Sequence, residues 1–219
     1  MSDSGSGATI PFRQELLRKG VHLSSLWMVV LILYWPRSGR SLFAFFLACL
    51  ILNLFCEFAY ARNVPLLAPL YGFFFRRMLR KNPSPDDWVV SGSPPVFLAA
   101  ALTTLLFPRF IAAISLGVML TADTAAALIG RRFGRHRLNG EKSAEGSAAF
   151  FAAGTLFAFI VLWYVGEASA GMLISAVLGV LLAALAELFQ KQLHLDDNLT
   201  IPLSCGAVMT LAFLFVVPH

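Results

Sequence analysis

The chain has 219 residues, of which 58% are hydrophobic and only 13% charged, and its mean hydropathy is +0.74. A soluble domain carries roughly 45–50% apolar and about 25% charged residues, so this chain has too little polar surface to face water and reads as a membrane protein. Its 17 lysines and arginines exceed its 12 aspartates and glutamates by a net +5, which in a bilayer reports orientation rather than affinity for nucleic acid. A membrane barrel is excluded because its strands alternate apolar and polar over about ten residues, whereas 168–189 is nearly unbroken apart from Glu187. Lipid leaves backbone groups no outside partner, so the fold class is all-α, a polytopic helix bundle.

Residues 1–12 form a Ser/Gly-rich polar tail, expected to be disordered. The tail lacks the basic start and small-residue cleavage site of a signal peptide, so the first span is expected to remain, and 13–219 to form a single membrane-embedded domain. Apolar runs at 21–35, 41–60, 93–107, 110–129, 147–165, 168–189 and 201–217 predict about seven transmembrane helices. The first and third fall below the ~20 residues that a span needs, and are expected to have snorkelling ends or to be partly re-entrant. Between the second and third runs, 65–75 is apolar but leads into Arg76, Arg77, Arg80 and Lys81 and a breaker-rich 82–87, the pattern of an interfacial segment with a basic end. Cys49, Cys56 and Cys205 fall inside apolar runs with no metal or disulfide spacing and read as small buried hydrophobes.

With a cytoplasmic N-terminus, fourteen of the seventeen cations fall on the cytoplasmic side and only Arg37, Arg40 and Arg109 outside, a strong positive-inside bias. On this topology His22, Glu57, Asp123 and Glu187 each lie at the cytoplasmic end of a different span. Ionisable groups in lipid are costly and face a bundle interior or a wet cavity, so four at one depth predict one site. Taken singly, His22 also reads as an interfacial anchor, and Glu57 and Glu187 as paired helix-end groups. Asp123 is the firmest of the four. It precedes Gly130 by about two turns, ~10 Å, and Ala122, Ala126 and Gly130 form a small-residue stripe along which another helix can approach.

The chemistry concentrates in 121–147, TADTAAALIGRRFGRHRLNGEKSAEGS. Gly130 and Gly134 would let backbone N–H groups approach an anion, while Arg131, Arg132, Arg135 and Lys142 would neutralise it. Ser143, Glu145 and Gly146 open the next helix, whose N-terminus adds its positive dipole end. This is a polyphosphate cradle, and a nearby carboxylate would hold a divalent cation, Mg²⁺, bridging phosphate oxygens. Gly140-Glu141-Lys142-Ser143 is not a P-loop, because the lysine does not directly follow the glycine and no strand precedes it. Asn198-Leu199-Thr200 fits a glycosylation sequon, but on the cytoplasmic side it is expected to stay unmodified. Asp196, Asp197 and Asn198 place two carboxylates and an amide in a short loop, able to bind a metal, read a base or sugar, or accept a proton from an attacking hydroxyl; an ordinary Asx turn is the plainer reading.

Together, Asp123-Thr-Ala-Ala, Gly130-Arg-Arg-Phe-Gly134 and Lys142-Ser-Ala-Glu-Gly-Ser147, with Arg18-Lys19-x-x-His22 upstream and Asp197-Asn198-Leu199-x-x-Pro202 downstream, resemble the dolichol kinase, phytol kinase and yeast-type diacylglycerol kinase superfamily. The resemblance covers nearly the whole chain and departs at 80–93, where a Glu-containing approach to the next span is not found. It implies a lipid kinase domain over 13–219 that phosphorylates a membrane alcohol with CTP. On that resemblance, Gly130, Arg131, Arg132, Gly134, Arg135, Lys142, Ser143, Gly146 and Asn198 would bind nucleotide, and Asp123, Glu145 and Asp197 would hold Mg²⁺. Asp123, Lys142 and Asp197 would carry the chemistry, with either aspartate as the base, and Lys19, His22, Glu57, Glu187 and Asp196 are further candidates. The expected partners are CTP and a lipid alcohol (polyprenol, a phytol-like isoprenoid or diacylglycerol), and the expected setting is a bacterial inner membrane, or the endoplasmic reticulum of a eukaryote. Two rivals stand beside this reading: a phosphatidate cytidylyltransferase, which would release pyrophosphate, and a small transporter, whose sites lie near the midplane between repeats that this chain does not display.

Overall fold

A computed structural model describes residues 12–75, 91–140, 142–193 and 196–216. The N-terminal tail expected at 1–12 lies outside them up to residue 11, as do Arg76, Arg77, Arg80, Lys81 and the breaker-rich stretch that follows. The described elements are helices α1 (Phe12–Ser24), α2 (Leu26–Tyr34), α3 (Gly39–Ala61), α4 (Leu67–Phe75), α5 (Ser93–Leu106) and α6 (Arg109–Phe133), a two-stranded antiparallel ribbon β1 (Arg137–Asn139) and β2 (Lys142–Ser143), and helices α7 (Ala144–Val165), α8 (Ala170–Leu193) and α9 (Asp197–Val216).

Among the described residues, six stretches are long and apolar enough to cross a bilayer: Leu16–Tyr34, Gly39–Ala61, Arg109–Phe133, Ala144–Val165, Ala170–Gln190 and Asp197–Phe215. The protein is an integral membrane helix bundle. The third expected span exists as α5, but its 14 residues rise only about 21 Å, short of the hydrocarbon thickness. It starts at Ser93 as expected, so its first turn faces the candidate site. The first span is continuous in sequence but broken at Ser25, where the helix tightens into bonds from Ser25 N to His22 O (3.1 Å) and from Met28 N to Ser25 O (2.9 Å).

Helix α6 is the axis of the bundle and touches α1, α2, α5, α7 and α9. Its spanning window is 78% buried, against 22–44% for the other five, because small residues (Ala112, Ala113, Gly117, Ala122, Ala126) let neighbours approach on several faces. On α7, a Cβ at Gly154 would meet Val180 at 2.9 Å and Ala122 at 3.3 Å, so that helix is wedged between α6 and α8. Leu156, Ile160 and Trp163 on α7 are more than half exposed, as expected where lipid rather than water is the solvent.

Helix α6 continues four residues past the expected end at 129, carrying Gly130, Arg131 and Arg132 as its last turn. It stops at Gly134, where a Cβ would meet the Gly130 carbonyl oxygen at 2.1 Å. At the other end of the bundle the Arg109 guanidinium donates to the Arg37 carbonyl (2.6 Å) and the Tyr34 and Tyr164 hydroxyls meet. The arginines sorted to the outside by charge counting therefore include two that share the face away from Asp123.

Candidate active site

The first element of the site is a buried ion pair. Lys19 on α1 donates to Asp123 on α6, both residues being 7% exposed, and His22, one turn further along α1, brings its Nε2 to 3.6 Å from Asp123 Oδ2. The α1 helix lies on α6, and the spacing of three residues puts Lys19 and His22 on one face of it. The Arg18-Lys19-x-x-His22 motif and the Asp123 motif, 104 residues apart for the lysine pair, are thus one constellation.

This constellation opens into a cavity of about 310 Å³. Lys19, His22, Asp123, Asp197 and Asn198 line its polar part, and Asn53, Ser91 and Ser93 add neutral donors and acceptors. Trp27 and Met28 of α2 and Val96 and Phe97 of α5 make the remainder apolar. Asp197 lies close enough to Asp123, Lys19 and Lys142 to feel the charge of each. Two carboxylates from different helices, converging beside a cation on one cavity, are a suitable donor set for Mg²⁺, which binds through one or two carboxylates plus substrate phosphates and waters. No cluster of three metal-ligating side chains occurs among the described residues, so any metal held here would depend on oxygens from the nucleotide and solvent.

The Asp196-Asp197-Asn198 island divides its labour. Asp196 is the N-cap of α9, its Oδ1 accepting from Asn198 N (2.9 Å) and from the Asn198 side-chain amide (2.7 Å). Asp197 Oδ1 accepts from the same Asn198 N (3.0 Å) and side-chain amide (3.2 Å), so the Asx-type turn engages both aspartates, and Asp197 and Asn198 also line the cavity. Pro202, inside α9, has no N–H to donate to the Asn198 carbonyl. One backbone acceptor of a cavity-lining residue is therefore released from the helical ladder.

The glycine-rich basic segment, expected as a polyphosphate cradle, also carries the junction between α6 and α7. Gly146 and Gly130 are points of closest approach between α7 and α6: a Cβ at Gly146 would sit 3.1 Å from the Ala126 carbonyl oxygen and 3.3 Å from Gly130 Cα. Ser143 is 3% exposed and caps α7, its Oγ accepting from Gly146 N (3.2 Å). Glu145 accepts from the backbone N–H groups of Arg135 (3.1 Å) and His136 (3.3 Å) and pairs with His136 Nδ1 (2.7 Å). The glycines, Ser143 and Glu145 thus shape and tie the segment, and none of the four lines the cavity. The short ribbon that the segment forms turns at Gly140, φ +58°, and is pinned to α8 by Asn139, which donates to the Leu188 carbonyl (2.8 Å) and exchanges bonds with the Gln192 amide (3.0 and 2.8 Å). Arg131, Arg132 and Arg135 are left exposed at the surface.

Lys142 links the two halves. It leaves the ribbon to pair with Glu187 of α8, whose side chain is 4% exposed, and its charge is felt at both Asp123 and Asp197. Of the four intramembrane ionisable groups expected to share one site, His22 and Asp123 meet directly and Glu187 joins through Lys142. Glu57 differs. Fully buried on α3, it accepts from Tyr71 (3.2 Å), from the Ser91 hydroxyl and from Ser91 N (3.3 Å). It stands behind the cavity wall and fixes the Ser91–Ser93 turn that forms part of that wall, while burial and the adjacent carboxylate push the Tyr71 hydroxyl pKa well up. Asn53, Ser91, Asn139 and Gln192 escaped the sequence reading. Only Asn53, an amide in the middle of an apolar run, carried a signal there.

No family model matches this chain and no solved structure matches it. It is 32% identical over 215 residues to a probable chloroplastic phytol kinase of Triticum aestivum, covering 92% of this chain and 68% of that protein. It is 30% identical over 219 residues to probable phytol kinase 2 of Oryza sativa subsp. japonica, covering 92% and 67%. The chain belongs to the phytol kinase family. An uncharacterized protein of Rickettsia prowazekii is 29% identical over 196 residues, covering 90% of this chain and 93% of its own length. The phytol kinase relatives are thus half as long again, while the Rickettsia relative has the dimensions of this chain. Of the lipid kinases that the motifs resemble, these matches reach the phytol kinase branch.

Proposed function

We propose that this protein phosphorylates an isoprenoid-type lipid alcohol, using a nucleoside triphosphate, CTP by resemblance, at the cytoplasmic face of the membrane. The observation that carries the proposal is the single cavity in which Lys19, His22, Asp123, Asp197 and Asn198 adjoin Trp27, Met28, Val96 and Phe97. Such a site can hold a charged reacting centre and an apolar tail together. The names of the plant relatives, probable phytol kinases, point to the same chemistry. The cation partition, fourteen against three, supports the cytoplasmic face.

In this mechanism the alcohol oxygen attacks the γ-phosphorus, the bond from that phosphorus to the β,γ-bridging oxygen breaks, and the hydroxyl proton passes to a carboxylate oxygen of Asp197 or Asp123. The products are a lipid monophosphate and the nucleoside diphosphate. Phosphoryl transfer asks a protein chiefly for positioning and charge neutralisation. Lys19 pairs with Asp123 and orients it, and Lys142 with the exposed Arg131, Arg132 and Arg135 receives the polyphosphate from solvent. Mg²⁺ bound through Asp123 and Asp197 would neutralise charge on the phosphate oxygens. Glu145 holds the Arg135–His136 turn so that the arginines project from a fixed ribbon.

The test is purified protein in lipid with γ-labelled CTP or ATP and Mg²⁺, offered phytol, farnesol, a polyprenol and diacylglycerol in turn. Label in an isoprenoid alcohol is the expected result, and label in no lipid overturns the proposal. Release of pyrophosphate with a CDP-lipid product would assign the site to cytidylyl transfer instead.

A further inference from the structure

Two buried polar atoms in the cavity wall lack a hydrogen-bond partner among the described residues: Asn53 Oδ1 and His22 Nε2, the latter 3.6 Å from Asp123 Oδ2. Buried polar groups are ordinarily satisfied, and an amide within a transmembrane helix is costly unless it serves a ligand or a neighbouring helix. Asn53 lies on α3 one turn deeper than Glu57, and His22 lies on α1 across the cavity, beside Asp123. A group seated between them would lie next to the reacting carboxylates and be able to donate or accept a hydrogen bond, as an alcohol hydroxyl can.

The cavity also has a definite capacity and a rim. A cavity of about 310 Å³ accepts the hydroxyl end of a long lipid, and the rest of the tail must leave. The cavity is lined by α1 and α2, by Asn53 of α3 and by the start of α5, with Asp123 of α6 and Asp197 and Asn198 of α9 at its polar part. Val21 and Trp27, which line it, belong to Leu16–Tyr34, the least buried of the candidate spans at 22%, so the α1–α2 wall borders the bilayer. Trp27 packs against Phe46 of α3 (centroids 6.3 Å apart), which closes the crevice on its deeper side.

We propose that the crevice between α1–α2 and α3–α5 is the acceptor channel, which a single-chain primary alcohol enters sideways from the bilayer, and that Asn53 is the residue that reads its hydroxyl. The inference rests on the kinase reading and deepens it. Diacylglycerol fits less well, because two chains would have to leave the cavity together.

The experiment uses the full-length protein in lipid nanodiscs with a phytol analogue bearing a photoreactive diazirine within ten carbons of the hydroxyl. Covalent label is expected on Trp27–Met28 or Val96–Phe97, displaced by unlabelled phytol but not by diacylglycerol. Label confined to α7 or α8, or undisplaced by phytol, overturns the channel. Asn53→Leu is expected to raise the alcohol KM and the displacing phytol concentration about tenfold, leaving the nucleotide KM unchanged. Unchanged values for the alcohol in both measurements overturn the role of Asn53. Val96→Phe, which narrows the channel, should impair phytol while sparing a five-carbon alcohol, and equal effects on both would count against lateral seating. Labelling does not depend on turnover, so wild-type protein that labels as expected without transferring phosphate supports the channel and refutes the kinase reading alone.

Discussion

Removing one member of the Lys19–Asp123 pair gives a test with a calculable size. The side chains are 9% and 10% exposed, so Asp123→Asn strands an ammonium in a site almost closed to water. Breaking a buried pair from one side costs about 3–5 kcal/mol. Asp197 also lies within reach of the Lys19 charge, so the lower end of that range applies. For a chain of this size, ~2–4 °C of midpoint shift per kcal/mol makes the expected fall roughly 6–12 °C. Lys19→Met should cost a similar amount by stranding the carboxylate, which keeps His22 at 3.6 Å and the more distant charge of Lys142. The double variant removes both charges and should recover to within about 1–2 kcal/mol of wild type, a strong departure from additivity. Thermal unfolding of the four proteins in one detergent, followed by tryptophan fluorescence, measures this directly. Turnover should behave otherwise, falling by about 10²–10³ or more in all three variants, because stability regained without charges does not restore phosphate chemistry. A double variant whose midpoint falls by the sum of the single effects would refute the buried pair, and an active Asp123→Asn would refute the site.

Lys142→Met should raise the nucleotide KM and also destabilise the protein, because Glu187 loses its cation in a nearly closed site; adding Glu187→Leu should restore the melting temperature but not the KM. Gly134→Ala forces a Cβ to within 2.1 Å of the Gly130 carbonyl oxygen, so a loss of about 1–3 kcal/mol and weaker nucleotide binding are expected by thermal unfolding and titration with CTP. Asn139→Ala removes the ties to Leu188 and Gln192 at a partly exposed position; stability should change by under about 1.5 kcal/mol, while the nucleotide KM rises several-fold if the ribbon positions the arginines. Arg132→Gln and Arg135→Gln should weaken nucleotide binding most at low salt, the difference shrinking as ionic strength rises, which a salt series of KM values would show.

Much of this was legible in sequence because the constraint is severe. A bilayer admits few structures, so hydropathy alone located the helices to within a few residues: expected runs at 41–60, 110–129 and 147–165 correspond to α3, α6 and α7. The charge partition likewise placed Arg37 and Arg109 on one face, where they meet. Local sequence failed where packing overrules composition. Gly130, Gly134 and Gly146 carry the same residue type whether glycine is needed to admit an anion or to admit a helix, and only the distances across the α6–α7 junction show the second use. Likewise nothing local announces that Glu145, expected as a metal ligand, accepts from Arg135 and His136, or that Glu57, a further candidate, accepts from Tyr71 and Ser91.

A chain 58% hydrophobic with 13% charge was bound to form a helical bundle with its scarce charges off the lipid surface, since solvation in hydrocarbon leaves no alternative. Where those charges meet was a different question. Lys19 and Asp123 are 104 residues apart, and nothing local to either specifies the other. Their pairing, the break at Ser25, the short α5 and the cavity among them depend on which helix faces pack together, and that depends on the small residues of α6 interlocking with five neighbours at once.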